Sequence, residues 1–92
     1  MYHIPSELEN KVRLIIITSL ITGEKTFKEL KELTQATDGN LSIQLKQLQN
    51  TNYILCRKDF YKNKPRSTYR LTNYGENQFR EYVSYLESFL KS

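Results

Sequence analysis

Residues 26–50, TFKELKELTQATDGNLSIQLKQLQN, contain two helical patterns separated by a turn of three or four residues. Thr26 is followed three residues later by Glu29, which is the spacing of a capping box, and this pair opens the first helix. Thr37 or Asp38 caps the second helix, which runs to the end of the stretch. The apolar stripes of the two helices are Phe27, Leu30 and Leu33, and then Leu41, Leu45 and Leu48. This pattern predicts a helix-turn-helix unit.

A short hairpin is expected after the helix-turn-helix unit. Alternating apolar and polar residues predict a strand over residues 53–58, with Cys56 facing inward. They also predict an antiparallel partner over residues 67–71, with Tyr69 facing inward. Residues 59–66 between the two strands have the composition of a long charged loop. A hairpin in this place is called a wing.

The helix expected before this unit is apolar on two opposite sides. Ser6 and Glu9 repeat the capping-box spacing, and the segment after them contains neither Gly nor Pro before Gly23. Leu8, Val12, Ile15 and Ile16 lie on one side, and Leu14, Ile17 and Ile21 lie nearly opposite. Both sides must be covered, either by a second copy of the chain or by the remainder of the same chain.

A long helix is predicted at the end of the chain. Thr72 can cap it, and its apolar stripe consists of Phe79, Tyr82, Val83, Leu86, Phe89 and Leu90. A terminal helix with so much apolar and aromatic surface requires a partner. The predicted fold class is therefore mainly α with a small antiparallel β wing (α+β), in which the long C-terminal helix mediates dimerisation.

Length and composition limit the class of protein further. The 92 residues allow one small hydrophobic core, and 26% charged with 38% hydrophobic residues is typical of a folded domain. We expect a single domain over residues 1–92, with the helix-turn-helix unit at about 27–51, the wing at about 53–71 and the outer helices at about 6–22 and 73–91. The longest apolar run is short, no secretory signal opens the chain and only one cysteine is present, so a cytoplasmic protein is expected.

Positive charge is concentrated in the wing. The formal net charge of the chain is +4. Residues 57–70 alone carry six cationic residues and one acidic residue, a local charge of +5. A concentrated charge of this kind is typical of a surface that binds a polyanion, whereas the alternative is a solvated loop.

Three motifs lie within these elements: residues 27–30 at the first helix opening, residues 37–42 with 45–48 in the second helix, and residues 64–72 with Gly75 after the wing. Their order and spacing resemble the winged-helix transcriptional regulators of the MarR and ArsR type, and most of all the small stand-alone winged-helix DNA-binding family related to them. Two positions depart from the family pattern. Asn52 stands where Gly is usual, although Asn tolerates the left-handed conformation expected there, and Gln44 stands where His is frequent.

The resemblance implies a homodimer with one recognition helix per subunit in successive major grooves, roughly 34 Å apart. Steps of 100° along the second helix turn its polar face outward, and the wing cations are expected to bind phosphate. Arg66 is the best candidate for insertion into a minor groove. The candidate DNA-binding residues are Thr37, Gly39, Asn40, Ser42, Ile43, Lys46, Gln47, Lys62, Lys64 and Arg66.

Four residues leave alternatives open. Ile43 either packs on a thymine methyl group or is an ordinary exposed apolar side chain. Tyr61 and Tyr69 interleave with the wing cations, as aromatics that stack on unpaired bases do, although packing within the protein is favoured for both. Cys56 is expected to be a small buried apolar residue, with redox sensing as the alternative.

The expected dimer interface contains Leu8, Val12, Ile15, Tyr82, Leu86, Phe89 and Leu90.

The sequence shows no nucleophile with its base, no His/Cys cluster and no phosphate-binding Gly loop, so we expect no enzymatic activity, cofactor or metal. The sequence therefore predicts a homodimeric regulator of transcription, most simply a repressor, that binds double-stranded DNA and no membrane; a small-molecule effector is left open. The competing interpretations are a protein-interaction module and a binder of RNA or single-stranded DNA.

Overall fold

A computed structural model describes residues 1–91 as four α-helices and a three-stranded antiparallel sheet. The helices are α1 (Lys11–Leu20), α2 (Phe27–Thr34), α3 (Asp38–Asn50) and α4 (Asn73–Leu90), and a 3₁₀ turn covers Ser6–Leu8. The strands are β1 (Lys25–Thr26), β2 (Ile54–Tyr61) and β3 (Lys64–Leu71), arranged in the order β1-β3-β2. The predicted fold class, a mainly helical winged helix-turn-helix, is confirmed.

The start of the first helix differs from the prediction. No capping box forms at Ser6; instead the backbone of Asn10 is extended and its side-chain oxygen accepts a hydrogen bond of 3.0 Å from the backbone N–H of Arg13. Helix α1 therefore begins at Lys11 rather than near residue 7. The break allows the preceding 3₁₀ turn to bury Leu8, which is only 2% exposed.

Helix α1 is the centre of the fold. Ile16 and Ile17 are fully buried, and the helix packs on α2, α3, α4 and β3. The second apolar side of α1 is thus covered largely by its own chain, because the later elements wrap around it. Leu8 belongs to the same core, so the prediction that it lies at a dimer interface is corrected.

The helix-turn-helix unit forms as predicted. Thr26 and Glu29 make a reciprocal capping box, with hydrogen bonds of 3.2 Å and 2.8 Å. Thr37 caps α3 by accepting a hydrogen bond of 3.1 Å from the backbone N–H of Asn40. The stripe of Leu41, Leu45 and Leu48 is buried, whereas Leu33 of α2 is 50% exposed and does not join the core.

The wing is a tight hairpin rather than a long loop. Strands β2 and β3 pair along their whole length, and only Lys62 and Asn63 connect them, both with positive φ (52° and 63°). Such two-residue turns match the twist of the flanking strands. The predicted loop over residues 59–66 is wrong because cross-strand pairs, including Asp59 opposite Arg66, extend the ladder to its end. The short strand β1, which pairs with β3, was not predicted.

The wing is joined to α4 by a close backbone approach. Thr72 caps α4, accepting a hydrogen bond of 2.9 Å from the backbone N–H of Gly75, and its hydroxyl donates to the carbonyl of Asn52 at 2.6 Å. A Cβ atom at Gly75 would clash with the carbonyl oxygen of Tyr53. Asn52 adopts the expected left-handed conformation, with φ 66°. These contacts explain why the motif after the wing requires glycine.

The distal half of α4 presents apolar side chains to solvent. Leu86 is 43% exposed and Leu90 is 86% exposed, whereas Phe79 and Tyr82 nearer the helix start pack partly on the core. Tyr85 stacks on Tyr2, with ring centroids 4.9 Å apart. Within residues 1–91 there is no helix with the length and apolar character needed to cross a membrane.

Candidate nucleic-acid interface

One face of α3 is open to solvent along the whole helix. The capping residue and all the helix positions predicted to contact DNA are exposed: Thr37, Gly39, Asn40, Ser42, Ile43, Lys46 and Gln47. Ile43 is 57% exposed among these polar side chains. The opposite side holds the buried leucines and also Gln44, which is 9% exposed. The arrangement is a polar surface with a single exposed apolar side chain at its middle.

The first turn of α3 is shaped for close approach. The ideal Cβ position at Gly39 has no other atom within 4 Å, so the backbone there is uncovered. Asp38 in this turn forms an ion pair of 2.6 Å with Lys31 of α2, and both side chains are exposed. An exposed helix N-terminus carries partial positive charge that favours anions, and Lys31 offsets the charge of Asp38 there.

A partly buried polar network, which residue spacing does not predict, supports α3 from below. The Arg13 guanidinium of α1 donates to the side-chain oxygens of Gln44, at 2.7 Å, and of Gln47. It also donates to the backbone carbonyls of Ser6 and Glu7 at 3.0 Å and 3.2 Å. The one available signal was a charged residue inside the apolar pattern of α1, which indicates a buried partner but does not identify it.

Gln44 carries this network toward the exposed face. Its side-chain nitrogen donates to Oδ1 of Asn40 at 3.0 Å. The family pattern often has a histidine here, so the departure noted in the sequence falls on the residue of α3 that links Arg13 to Asn40. A side chain with one acceptor and one donor group is required for this link.

The tip of the wing carries exposed lysines. Lys62 occupies the turn and Lys64 starts the returning strand, and both are exposed. The ammonium of Lys62 lies 5.3 Å from the ring centroid of Tyr61, within the range of a cation–π contact. Tyr61 thus packs within the wing, as the sequence favoured.

Arg66 does not present a free guanidinium. It donates two hydrogen bonds of 3.0 Å to the Asp59 carboxylate, and its guanidinium lies 4.6 Å from the Tyr61 ring centroid. Its side chain is only 35% exposed. The expectation that Arg66 inserts into a minor groove is not supported by this arrangement, because an opposite charge and an aromatic ring already hold the group.

The base of the sheet is held by further contacts. Arg57 forms a salt bridge of 3.0 Å with Glu24, and this hydrogen bond lowers the pKa of the Glu24 carboxyl. Cys56 is half-buried next to Tyr69. Burial of the Tyr69 hydroxyl, together with the nearby Cys56 thiol, raises the pKa of Tyr69 to about 12. Residues 1–91 contain no group of three or more His, Cys, Asp or Glu side chains that could hold a metal ion.

The helix-turn-helix unit, the two-stranded wing and the exposed polar face of α3 define a winged-helix DNA-binding protein. Residues 12–90 match the family described as the winged helix DNA-binding domain, and the chain belongs to that family. The predicted resemblance to a winged-helix DNA-binding family is therefore confirmed.

Comparisons with individual proteins agree with this assignment. The chain is 32% identical over 76 residues to the uncharacterized protein MJ0432 of Methanocaldococcus jannaschii, covering 80% of this chain and 83% of that protein. A MarR-family transcriptional regulator of Enterococcus faecalis has the same fold, with a TM-score of 0.79, 24% identity and coverage of 94% of this chain and 81% of that one. The transcriptional repressor BigR of Xylella fastidiosa is similar, with a TM-score of 0.69, 25% identity and coverage of 84% and 76%.

Proposed function

We propose that this protein is a homodimeric repressor that binds a specific sequence of double-stranded DNA, with α3 in the major groove and the wing on the phosphate backbone. The observation that carries the proposal is the exposed polar face of α3 in a chain whose excess positive charge lies in the wing. Membership of the winged helix DNA-binding family supports DNA as the partner.

The face of α3 has the chemistry to read base edges. Asn40, Ser42 and Gln47 exchange hydrogen bonds with bases, and Lys46 reaches a guanine or a phosphate. Gly39 leaves the helix N-terminus open to a phosphate group. Ile43 meets the methyl group of a thymine, the apolar feature of the major groove.

The wing binds the backbone through its lysines. Lys62 and Lys64 neutralise phosphates, while Arg66 stiffens the hairpin through Asp59 and Tyr61. Arg66 thus has a structural role in the wing instead of the minor-groove contact expected from the sequence. Because the contacts are to phosphate, their contribution to affinity is independent of sequence and falls as salt concentration rises.

The dimer forms through the distal half of α4 and the half-buried residues Val12 and Ile15 of α1. Leu86 and Leu90 present apolar surface, and Val12, Ile15 and Tyr82 are half-buried and continue it toward the core. Phe89, which is 61% exposed, lies on the same part of α4. A twofold axis there places two copies of α3 in successive major grooves. The dimer represses most simply by occupying an operator and excluding polymerase, and the similarity to the repressor BigR supports this role.

The proposal is tested by a gel-shift assay with random duplex DNA at two salt concentrations, followed by selection of bound duplexes from a random pool. The expected result is strongly salt-dependent binding and an enriched palindrome with about one helical turn between half-sites. Weak salt dependence without an enriched sequence would instead support a protein-interaction module. Preference for single-stranded DNA or RNA competitors would support the other alternative.

A further inference from the structure

The polar network beneath α3 has a fixed direction of hydrogen bonding. Arg13 is its origin, and a guanidinium only donates hydrogen bonds. The atoms of Gln44 and Gln47 that face it must therefore be their carbonyl oxygens, as the contacts from the Arg13 Nη1 atom show. Each glutamine then has its NH₂ group directed away from Arg13.

The orientation of the Gln44 amide fixes the orientation of the exposed Asn40 amide. Gln44 is 9% exposed, and its NH₂ group donates to Oδ1 of Asn40. Reversing the Gln44 amide would bring NH₂ against the Arg13 guanidinium and leave two donors facing each other, which a nearly buried site does not tolerate. One of the two lone pairs on the Asn40 side-chain oxygen is thus already used within the protein, and the contact fixes the amide with its oxygen toward Gln44. The group that Asn40 turns toward a ligand is its NH₂.

We propose that Arg13, acting through Gln44, makes Asn40 a hydrogen-bond donor to DNA, so that α3 selects a keto base and rejects an amino base at the position Asn40 contacts. Guanine and adenine share the N7 acceptor in the major groove, so the selection is made at purine position 6 and pyrimidine position 4, where guanine O6 and thymine O4 are acceptors and adenine N6 and cytosine N4 are donors. A free asparagine pairs with adenine by accepting from N6 and donating to N7, and this mode is disfavoured here because the Asn40 oxygen is held toward Gln44. Arg13 and Gln44 are positioning residues, and the inference rests on the proposed DNA binding by α3.

The side chains of Gln47 and Lys46, near Asn40 on α3, also present hydrogen-bond donors. Gln47 accepts from Arg13 through its oxygen, so its exposed NH₂ is a donor as well. Lys46 beside it has donors only. The centre of the recognition surface is therefore rich in donors, which matches the acceptor edge of guanine better than the mixed edge of adenine.

The first test uses wild type and Asn40→Ala, an exposed substitution. Both proteins select duplexes from the same random pool, and the base position whose preference disappears in Asn40→Ala is the one that Asn40 reads. At this position we expect wild type to prefer guanine or thymine over adenine or cytosine by about tenfold. A preference for amino bases there, or a uniform loss of affinity with no position altered, would overturn the inference.

The second test reverses the polarity. In Gln44→Glu, one carboxylate oxygen accepts from Arg13 and the other accepts from Asn40, so Asn40 must rotate and present its oxygen outward. The preference at the Asn40 position is expected to change from keto to amino bases. Gln49→Glu, which adds the same charge to α3 outside the network, is the matched control and should keep the wild-type preference.

The outcomes separate the two levels of the proposal. A folded Gln44→Glu, checked by circular dichroism and thermal melting, that still selects keto bases contradicts the role of Gln44. If Gln44→Glu does not fold, the comparison of wild type with Asn40→Ala decides the keto preference on its own. If wild type enriches no duplex sequence at all, the proposed function fails, and the inference fails with it.

Discussion

Arg66 and Asp59 face each other across strands β3 and β2 and are joined by two hydrogen bonds of 3.0 Å. The pair lies between the core of the sheet and the wing tip, where Tyr61 packs on the same guanidinium. Arg66, the arginine expected from the sequence to enter a minor groove, is therefore a structural part of the wing. At the wing tip, the charge available to a phosphate backbone resides on the exposed Lys62 and Lys64 instead.

The ion pair with Arg66 changes the pKa of the Asp59 carboxyl. The hydrogen bond from Arg66 holds the pKa of Asp59 below its ordinary value, and the nearby Arg57 lowers that pKa to a lesser extent. Because the folded-state pKa is depressed, the stabilisation is complete above the unfolded-state pKa and is lost as pH falls through the folded-state value. We expect Arg66→Met to raise the Asp59 pKa toward its ordinary value in an NMR titration. Arg57→Met should raise it less, and an equal effect of both substitutions would contradict the pairing.

Lys62 and Lys64 at the wing tip should contribute to the salt dependence of DNA binding. Each phosphate contact contributes about 0.9 to the slope of log affinity against log salt, so Lys64→Ala in a dimer should reduce the slope by about 2. Lys11→Ala, which removes the same charge at the start of α1, is the control and should leave the slope unchanged. The measurement is a titration by fluorescence anisotropy at several salt concentrations. An equal reduction by both variants would mean that only net charge matters.

Two glycines should respond oppositely to alanine. Gly75→Ala places Cβ against the Tyr53 carbonyl and is expected to lower the free energy of unfolding by about 1–3 kcal/mol through overpacking. Gly39→Ala has open space at its Cβ and should raise the free energy of unfolding by up to about 1 kcal/mol through helix propensity. Urea denaturation measures both. A stable Gly75→Ala protein would show that α4 can move away from Tyr53 at little cost.

The apolar end of α4 should control the oligomeric state. Leu86→Asp places a charge in the proposed interface, and we expect monomers by light scattering together with greatly weakened DNA binding. Ser84→Asp is the matched control, since it adds the same charge to α4 about 160° away around the helix. It should remain dimeric. A dimeric Leu86→Asp protein would place the interface elsewhere.

Ile43 should discriminate thymine from cytosine. Removing its apolar contact with a thymine methyl in Ile43→Ser should cost about 1 kcal/mol on the selected site. The cost should be absent on a duplex in which the contacted thymine is replaced by cytosine. Equal losses on both duplexes would indicate an ordinary exposed side chain.

Much of the fold was predictable because it depends on local contacts. The caps at Thr26, Thr37 and Thr72 each join a side chain to a backbone N–H three residues later, and all three are present. The capping box at Ser6 failed although its spacing was correct, because the burial of Leu8 favours a break at Asn10. The exposed face of α3 followed from helical periodicity alone, since its buried leucines define the opposite side.

The sequence by itself thus determined the order of the four helices and the two wing strands, the helix starts within the DNA-binding unit and the concentration of charge in the wing. Only the tertiary structure decided which charged groups are free. Arg13 and Gln44 are 31 residues apart in sequence, and Arg66 meets Asp59 only because the hairpin closes with a two-residue turn. Neither pairing follows from residue spacing, because each requires two elements to be brought together by burial of the leucine and isoleucine core.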